Sequence, residues 1–358
     1  MIVRLAASRL LPVGAILVSM MLGMGLVWLV GADPLRAYEE MLRGALVDTF
    51  GLATTLVKAS PLLFAGLGVA VALRAGLFNI GGEGQIYLGG LGAALVGLFL
   101  HGLPAAIHVP LTLLAGFIAG GIWALGPVLL KISRGVSEVI TTLLLNYIGI
   151  FLISLITSGP LMEPGAPSPY TPEVRPSAQL PIIISGTDAH AGIVIALALA
   201  LLVHLLFTQT TVGFRLRAVG ANPDAARGMG MNVKATMVGA MVVAGGLAGV
   251  AGAVEVIGLK HRLFSDFSPG YGFDAIVVGF LSGGEPLGVV AMALFFGALR
   301  SGANIMQRSI GIPVAIVFAI QGLAVLFLAA SVALRRRFFG RTPVAIPPIH
   351  PAAASAPD

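Results

Sequence analysis

A chain of 358 residues that is 57% hydrophobic and 10% charged, with a mean hydropathy of +0.99, lacks the composition of a soluble enzyme; soluble domains carry about 25% charged residues. The absence of cysteine excludes disulfides, thiolate metal sites and cysteine nucleophiles together. The net charge of +6 forms no basic stripe interleaved with aromatics, so it points to membrane ends rather than to nucleic acid.

Apolar runs of eighteen or more residues recur, which is the pattern of transmembrane helices. The fold class is therefore all-α and polytopic. In chain order the spans are 11–31, 52–73, 85–100, 109–130, 137–158, 191–208, 236–257 and 312–333. The first follows Arg4 and Arg9, and its apolar run from Leu10 to Ala32 exceeds the roughly 7–15 residues of a signal-peptide core. It reads as an uncleaved span, with a cleaved signal as the alternative. The region 272–301 is apolar throughout but is broken by "SGGEP", Ser282 to Pro286.

Charge asymmetry orients the spans. The segments before 11, at 74–84, 131–136 and 209–235, and after 333 hold thirteen of the 21 Lys and Arg residues: Arg4, Arg9, Arg74, Lys131, Arg134, Arg215, Arg217, Arg227, Lys234, Arg335, Arg336, Arg337 and Arg341. The loops at 32–51, 101–108, 159–190, 258–271 and 302–311 hold six. The richer set is cytoplasmic. For Arg335–Arg337 to lie inside, the region 272–301 must cross twice, as two short segments turning at the glycines. That gives about ten crossings with both termini cytoplasmic. The triplet Gly-Gly-Glu occurs in "NIGGEG" (Asn79–Gly84) and again in "LSGGEP" (Leu281–Pro286), both on the cytoplasmic side, which leaves open two parallel-repeat halves. Residues 1–335 read as one transmembrane domain and 336–358 as a disordered cytoplasmic tail.

Two loops carry more information than a connection needs. The outer loop 159–190 contains seven prolines, Pro160, Pro164, Pro167, Pro169, Pro172, Pro176 and Pro181. It is expected to be an extended surface loop without sheet pairing, either passive or a dock for an external protein. In the cytoplasmic loop 210–236, "ANPDAARGMG" reads as a short helix with both ends specified. Asn222 is an N-cap and Pro223 suits the first helical position. Asp224 and Arg227 complement the dipole, and Gly228 or Gly230 supplies the left-handed stop.

The segment "GFRLRAVGANPDAARGMGMNVKA" resembles the coupling loop of inner-membrane permease subunits of ABC importers, in the branch for simple sugars, nucleosides and branched-chain amino acids. "LRAGLFNIGGEGQIYLGGLGAALVG" and "GFDAIVVGFLSGGEPLGVVAMALFFGAL" resemble the same branch, and "LFNIGGEGQ" is most similar to permeases of nucleoside importers. The resemblance spans about residues 50 to 335. It implies that Asn222, Pro223, Asp224, Ala225, Ala226, Arg227, Gly228 and Gly230 form a coupling helix that docks on a cytoplasmic ATPase.

It also implies a second permease, homologous or identical, a periplasmic or lipid-anchored solute-binding protein, and residence in the bacterial inner membrane. The transported solute is expected to be a nucleoside; simple sugars such as ribose, or branched-chain amino acids, are the alternatives. The chain has no G-x-x-x-x-G-K-[ST] before any of its four lysines, so it is expected to be no enzyme and to hold no cofactor, with ATP used by a partner. A self-standing secondary transporter is the rival from another class, but no charged midplane constellation supports it. The six histidines are scattered without H-E-x-x-H, so no metal is expected.

Polar residues within the spans are candidates for the translocation path, because hydrocarbon penalises them. They include Asn79, Glu83, Gln85, Thr142 and Asn146, with the aromatic Phe78 beside the glycine break, while Glu138, just after Arg134, suits a cytoplasmic-end ion pair. Thr142 and Asn146 share a helix face; they suit either a ribose or base edge or the knitting of one helix to another. Phe78 suits base stacking or packing. Glu83 lies in a break between membrane segments near the cytoplasmic side, as a hinge or helix-end residue or as a solute ligand.

Overall fold

A computed structural model describes residues 2–339. The expected coupling-loop and path residues all fall inside this range, whereas most of the tail, 340–358, lies outside the described residues. Thirteen α-helices follow in order: α1 (Ile2–Leu29), α2 (Pro34–Leu46), α3 (Thr49–Arg74), α4 (Gly82–Phe99), α5 (Ala105–Arg134), α6 (Glu138–Ser158), α7 (Gly192–Gln209), α8 (Thr211–Ala221), α9 (Pro223–Gly228), α10 (Val233–Val254), α11 (Tyr271–Leu281), α12 (Pro286–Ile310) and α13 (Val314–Phe339). A π-turn, Glu255–Lys260, prolongs α10. Among the described residues there is no strand, only two isolated bridges. Among the described residues six helices are long and apolar enough to cross a membrane: α3, α5, α6, α7, α10 with its π-turn, and α12.

The region 272–301 differs from the expectation of two short crossings. Its first helix, α11, has 11 residues and reaches about 16 Å, half a bilayer. Its second, α12, has 25 residues and takes in most of the segment assigned to an outer loop at 302–311. The loop expected at 32–51 holds another helix, α2. Asp33 caps it by accepting from Leu35 N at 2.9 Å and Arg36 N at 3.4 Å, and Pro34 occupies its first turn.

The described residues divide into two compact units. One comprises those up to Ser60, Ile182–Ile193 and those from Ala291 onward; the other comprises Pro61–Pro181 and Val194–Val290. In the first, α2 buries Ala37, Tyr38 and Met41 in a cluster with Val27, Ala303, Met306, Ile312 and Ile320. Tyr38 Oη donates to Met20 O at 3.1 Å, and burial pushes this phenol up to about 12, so it remains a donor at any working pH.

In the second unit α4, α5 and α10 pack at glycine distance. A Cβ on Gly249 would fall 2.1 Å from Gly116 O, and one on Gly252 would fall 2.0 Å from Ile86 O. Without a hydrophobic drive between helices in lipid, such backbone contact is what holds spans together. At one end of this unit the Pro-rich loop is pinned rather than unpaired. The residues between its prolines keep their donors: Thr171 N bonds Leu263 O at 3.0 Å, Val174 N bonds His261 O at 2.8 Å, and Leu180 N bonds Ile257 O at 3.0 Å. His108 fastens the same end, with Nδ1 2.9 Å from Ser177 Oγ and Nε2 3.1 Å from Val96 O. At the opposite end, the segments after α3, between α5 and α6, around α8 and between α11 and α12 meet one another.

Candidate functional site

The path candidates Asn79, Glu83, Gln85, Thr142 and Asn146 come together in one buried cluster where the chain enters α4. Helix α3 ends at Arg74, and Gly76 (φ +72) turns the chain out of it. Leu77–Ile80 is irregular. Non-helical backbone in a bilayer must find partners inside the protein. Helix α6 supplies them from one face, at i, i+4 and i+8. Phe78 N donates to Glu138 Oε1 at 3.4 Å and Ile80 N donates to Thr142 Oγ1 at 3.3 Å. Asn146 closes the ladder, donating to Ile80 O at 2.9 Å and accepting from Gly84 N at 2.8 Å. The other face of α6 presents Ile140, Leu144, Ile148 and Leu155 outward.

Asn79 and Gln85 pair reciprocally through their amides, at 2.9 and 3.1 Å, and Asn79 Oδ1 also accepts from Gly81 N at 3.0 Å. Glu138 forms its ion pair with Lys131, at 2.6 Å, rather than with Arg134. Gly135 (φ +66) ends α5, and Lys131 lies one turn back on the side facing α6.

Glu83 occupies the first turn of α4 and is 2% exposed. Its Oε2 accepts from Gly272 N, in the first turn of α11, at 2.6 Å. The amino ends of two helices therefore meet at one carboxyl side chain. The backbones touch there, since a Cβ on Gly272 would fall 2.1 Å from Glu83 N. Glu83 is thus at the far end of α11, about 14 Å along that helix from the 282–285 turn. Glu83 and the 282–285 turn therefore lie at opposite ends of α11. Tyr87, one turn on, donates to Asp266 Oδ1 at 3.1 Å and packs on Phe267 with ring centres 4.9 Å apart; sequence reasoning singled out neither Tyr87 nor Asp266. Phe78 is half-buried against Phe280, at 4.8 Å between ring centres.

The second group is the α8–α9 loop. Asn222 Oδ1 accepts from Asp224 N and Ala225 N, both at 3.0 Å, and Arg227 pairs with Asp224 at 2.8 Å. At the far end Gly230, at φ +79, takes the left-handed position, whereas Gly228 is helical. Gly230 N bonds Arg227 O and Met231 N bonds Ala226 O, the two bonds of a Schellman cap. Ala226 is fully buried with Val219 and Val233, while Asp224, Ala225, Arg227, Gly228 and Met229 are exposed. The helix thus presents one small, rigid face to solvent.

A family model described as "Branched-chain amino acid transport system / permease component" matches residues 51–337. The glucose ABC transporter permease protein TsgB13 of Haloferax volcanii is 35% identical over 335 residues, 91% of this chain and 88% of its own length. The guanosine ABC transporter permease protein NupP of Bacillus subtilis is 34% identical over 339 residues, 93% of this chain and 96% of its own. NupQ, also described as a guanosine ABC transporter permease protein of that bacterium, is 31% identical over 258 residues, 69% and 79% of the two chains. No solved structure matches.

Proposed function

Because the chain belongs to the family described as the branched-chain amino acid transport system/permease component, we propose that it conducts nucleosides as one half of an importer's pathway. It is a multi-pass membrane permease of an ABC transporter. The finer reading adds a cytoplasmic ATPase docked on α9, a second permease, and an external solute-binding protein. It also places both termini in the cytoplasm of a bacterial cell, at the inner membrane. The match to a guanosine permease over nearly the whole of both chains carries the nucleoside assignment. The presence of two guanosine permease proteins similar to this chain in one bacterium supports a homologous second subunit. A sugar is the second reading, favoured by the match to a glucose permease.

In the proposed cycle the binding protein delivers solute to the outer face, and closure of the ATPases on ATP moves α9 and reorients the pathway. The exposed face of α9 fits this role because caps fix both ends of the helix and its outward side chains, Asp224, Ala225, Arg227 and Met229, are free to meet a partner surface. Asn79, Glu83, Gln85, Thr142 and Asn146 serve as the framework of the path wall, because their polar atoms are engaged with backbone or with each other. Phe78 is the candidate that offers an aromatic face to a base.

The test is to purify the cognate binding protein and challenge it with labelled guanosine, glucose, ribose and leucine. The same solutes are then offered to proteoliposomes holding the whole importer. Guanosine retained by the binding protein and taken up only with ATP is the expected result. Retention of glucose or ribose instead favours the second reading. Uptake driven by an ion gradient with no ATPase present contradicts the importer itself.

A further inference from the structure

Arg74, the last residue of α3, joins four elements at the end of the second unit that carries the α8–α9 loop. Its guanidinium pairs with Glu285, and Nε donates to Gly284 O at 3.4 Å. The same group lies 5.3 Å from the centre of the Phe207 ring, near the end of α7. Phe207 O in turn accepts from Arg217 of α8. The Arg74 carbonyl meets α8 directly, since a Cβ on Gly220 would fall 2.3 Å from Arg74 O and 2.9 Å from Gly76 N. A planar guanidinium can donate in its plane while its face lies over an aromatic ring, a combination that a compact ammonium does not reproduce.

The partner turn holds the lower end of α11. Gly283 and Gly284 adopt φ of +67 and +70 in succession, and Glu285 follows before Pro286 opens α12. Helix α11 is therefore gripped at both ends, by Arg74 at this turn and by Glu83 at Gly272. Glu285 is 57% exposed, and exposed ion pairs add little stability. The geometry thus favours a role in position over a role in holding the fold.

We propose that Arg74 is a positioning residue for energy coupling. It ties α8 to the Gly284–Glu285 turn, so displacement of the α8–α9 loop shifts α11 along its axis and moves the Glu83–Gly272 clasp. Packed elements transmit such shifts because interiors yield little. This rests on the reading of α9 as the ATPase-docking surface.

The test uses the whole importer in proteoliposomes and records solute imported per ATP hydrolysed for Arg74→Glu, Glu285→Arg, the double exchange and Glu285→Gln. Each single exchange is expected to hydrolyse ATP while its uptake per ATP falls at least about five-fold, the lower range of coupling between sites. The double exchange recovers above either single variant, and Glu285→Gln, a change on an exposed side chain that leaves folding intact, falls in the same direction. A parental ratio in Glu285→Gln, or a double exchange no better than the poorer single variant, overturns the proposal. Failure of the docking reading looks different: Ala225→Glu then leaves uptake unchanged in the parental background.

Discussion

The two Gly-Gly-Glu triplets share three residues and nothing else. In the first, the helix begins at Gly82 and carries Glu83 into a buried contact with Gly272 N. In the second, both glycines are left-handed and Glu285 stays in the turn, half-exposed beside Arg74. The following residues make the difference. Gly84 and Gln85 continue a helix, whereas Pro286 opens the next one and keeps the residue before it out of the helical region. A shared tripeptide therefore carries no argument here for a structural repeat; what surrounds a carboxylate decides whether it clasps two helices in the interior or tethers an exposed turn.

The contrast is most easily broken at the deep clasp. Gly272→Leu drives a side chain into the Gly82–Glu83 backbone and is expected to cost about 3 kcal/mol or more, read as loss of monodisperse protein in detergent. Glu83→Ala leaves the Gly272 amide without its acceptor and is expected to cost about 2 kcal/mol, read as a lowered Tm of the purified chain. Asn222→Ala removes the α9 cap at about 1 kcal/mol; limited proteolysis is expected to cut the 210–236 loop faster while the spans stay intact. Glu285→Ala is expected to change stability by less than about 1 kcal/mol, so its Tm stays near the parent's. A Glu285→Ala variant as unstable as Glu83→Ala would erase the distinction between the two sites.

Much of this was legible in the sequence where the determinants are local. The ends of α9 follow from Asn222, Pro223 and a glycine stop; choosing Gly230 over Gly228 needed the backbone, since only the former takes positive φ. Helix α2 was missed although Asp33, Pro34 and the spacing of Ala37, Tyr38, Met41 and Gly44 spell it out. The segment 302–311, with Asn304, Gln307 and Arg308, read as a loop, but the helix continues to Ile310. The deep cluster was legible only as a set of residue types. Its pairing of Glu83 with Gly272 joins positions 189 apart, which no local pattern encodes. The same holds for Lys131 in place of Arg134 as the partner of Glu138, because the choice depends on how α5 meets α6.

The central claim, that the exposed face of α9 docks a cytoplasmic ATPase, has a direct test because the chain contains no cysteine. Ala225→Cys and Ala226→Cys each introduce a single thiol, the first exposed and the second buried. Both are exposed to a membrane-impermeant maleimide in inside-out vesicles and in intact cells. The account predicts rapid labelling at position 225 from the cytoplasmic side only, slow labelling at 226, and protection of 225 when the ATPase is co-expressed. Labelling of 225 from outside, or at the same rate with and without the ATPase, would contradict it.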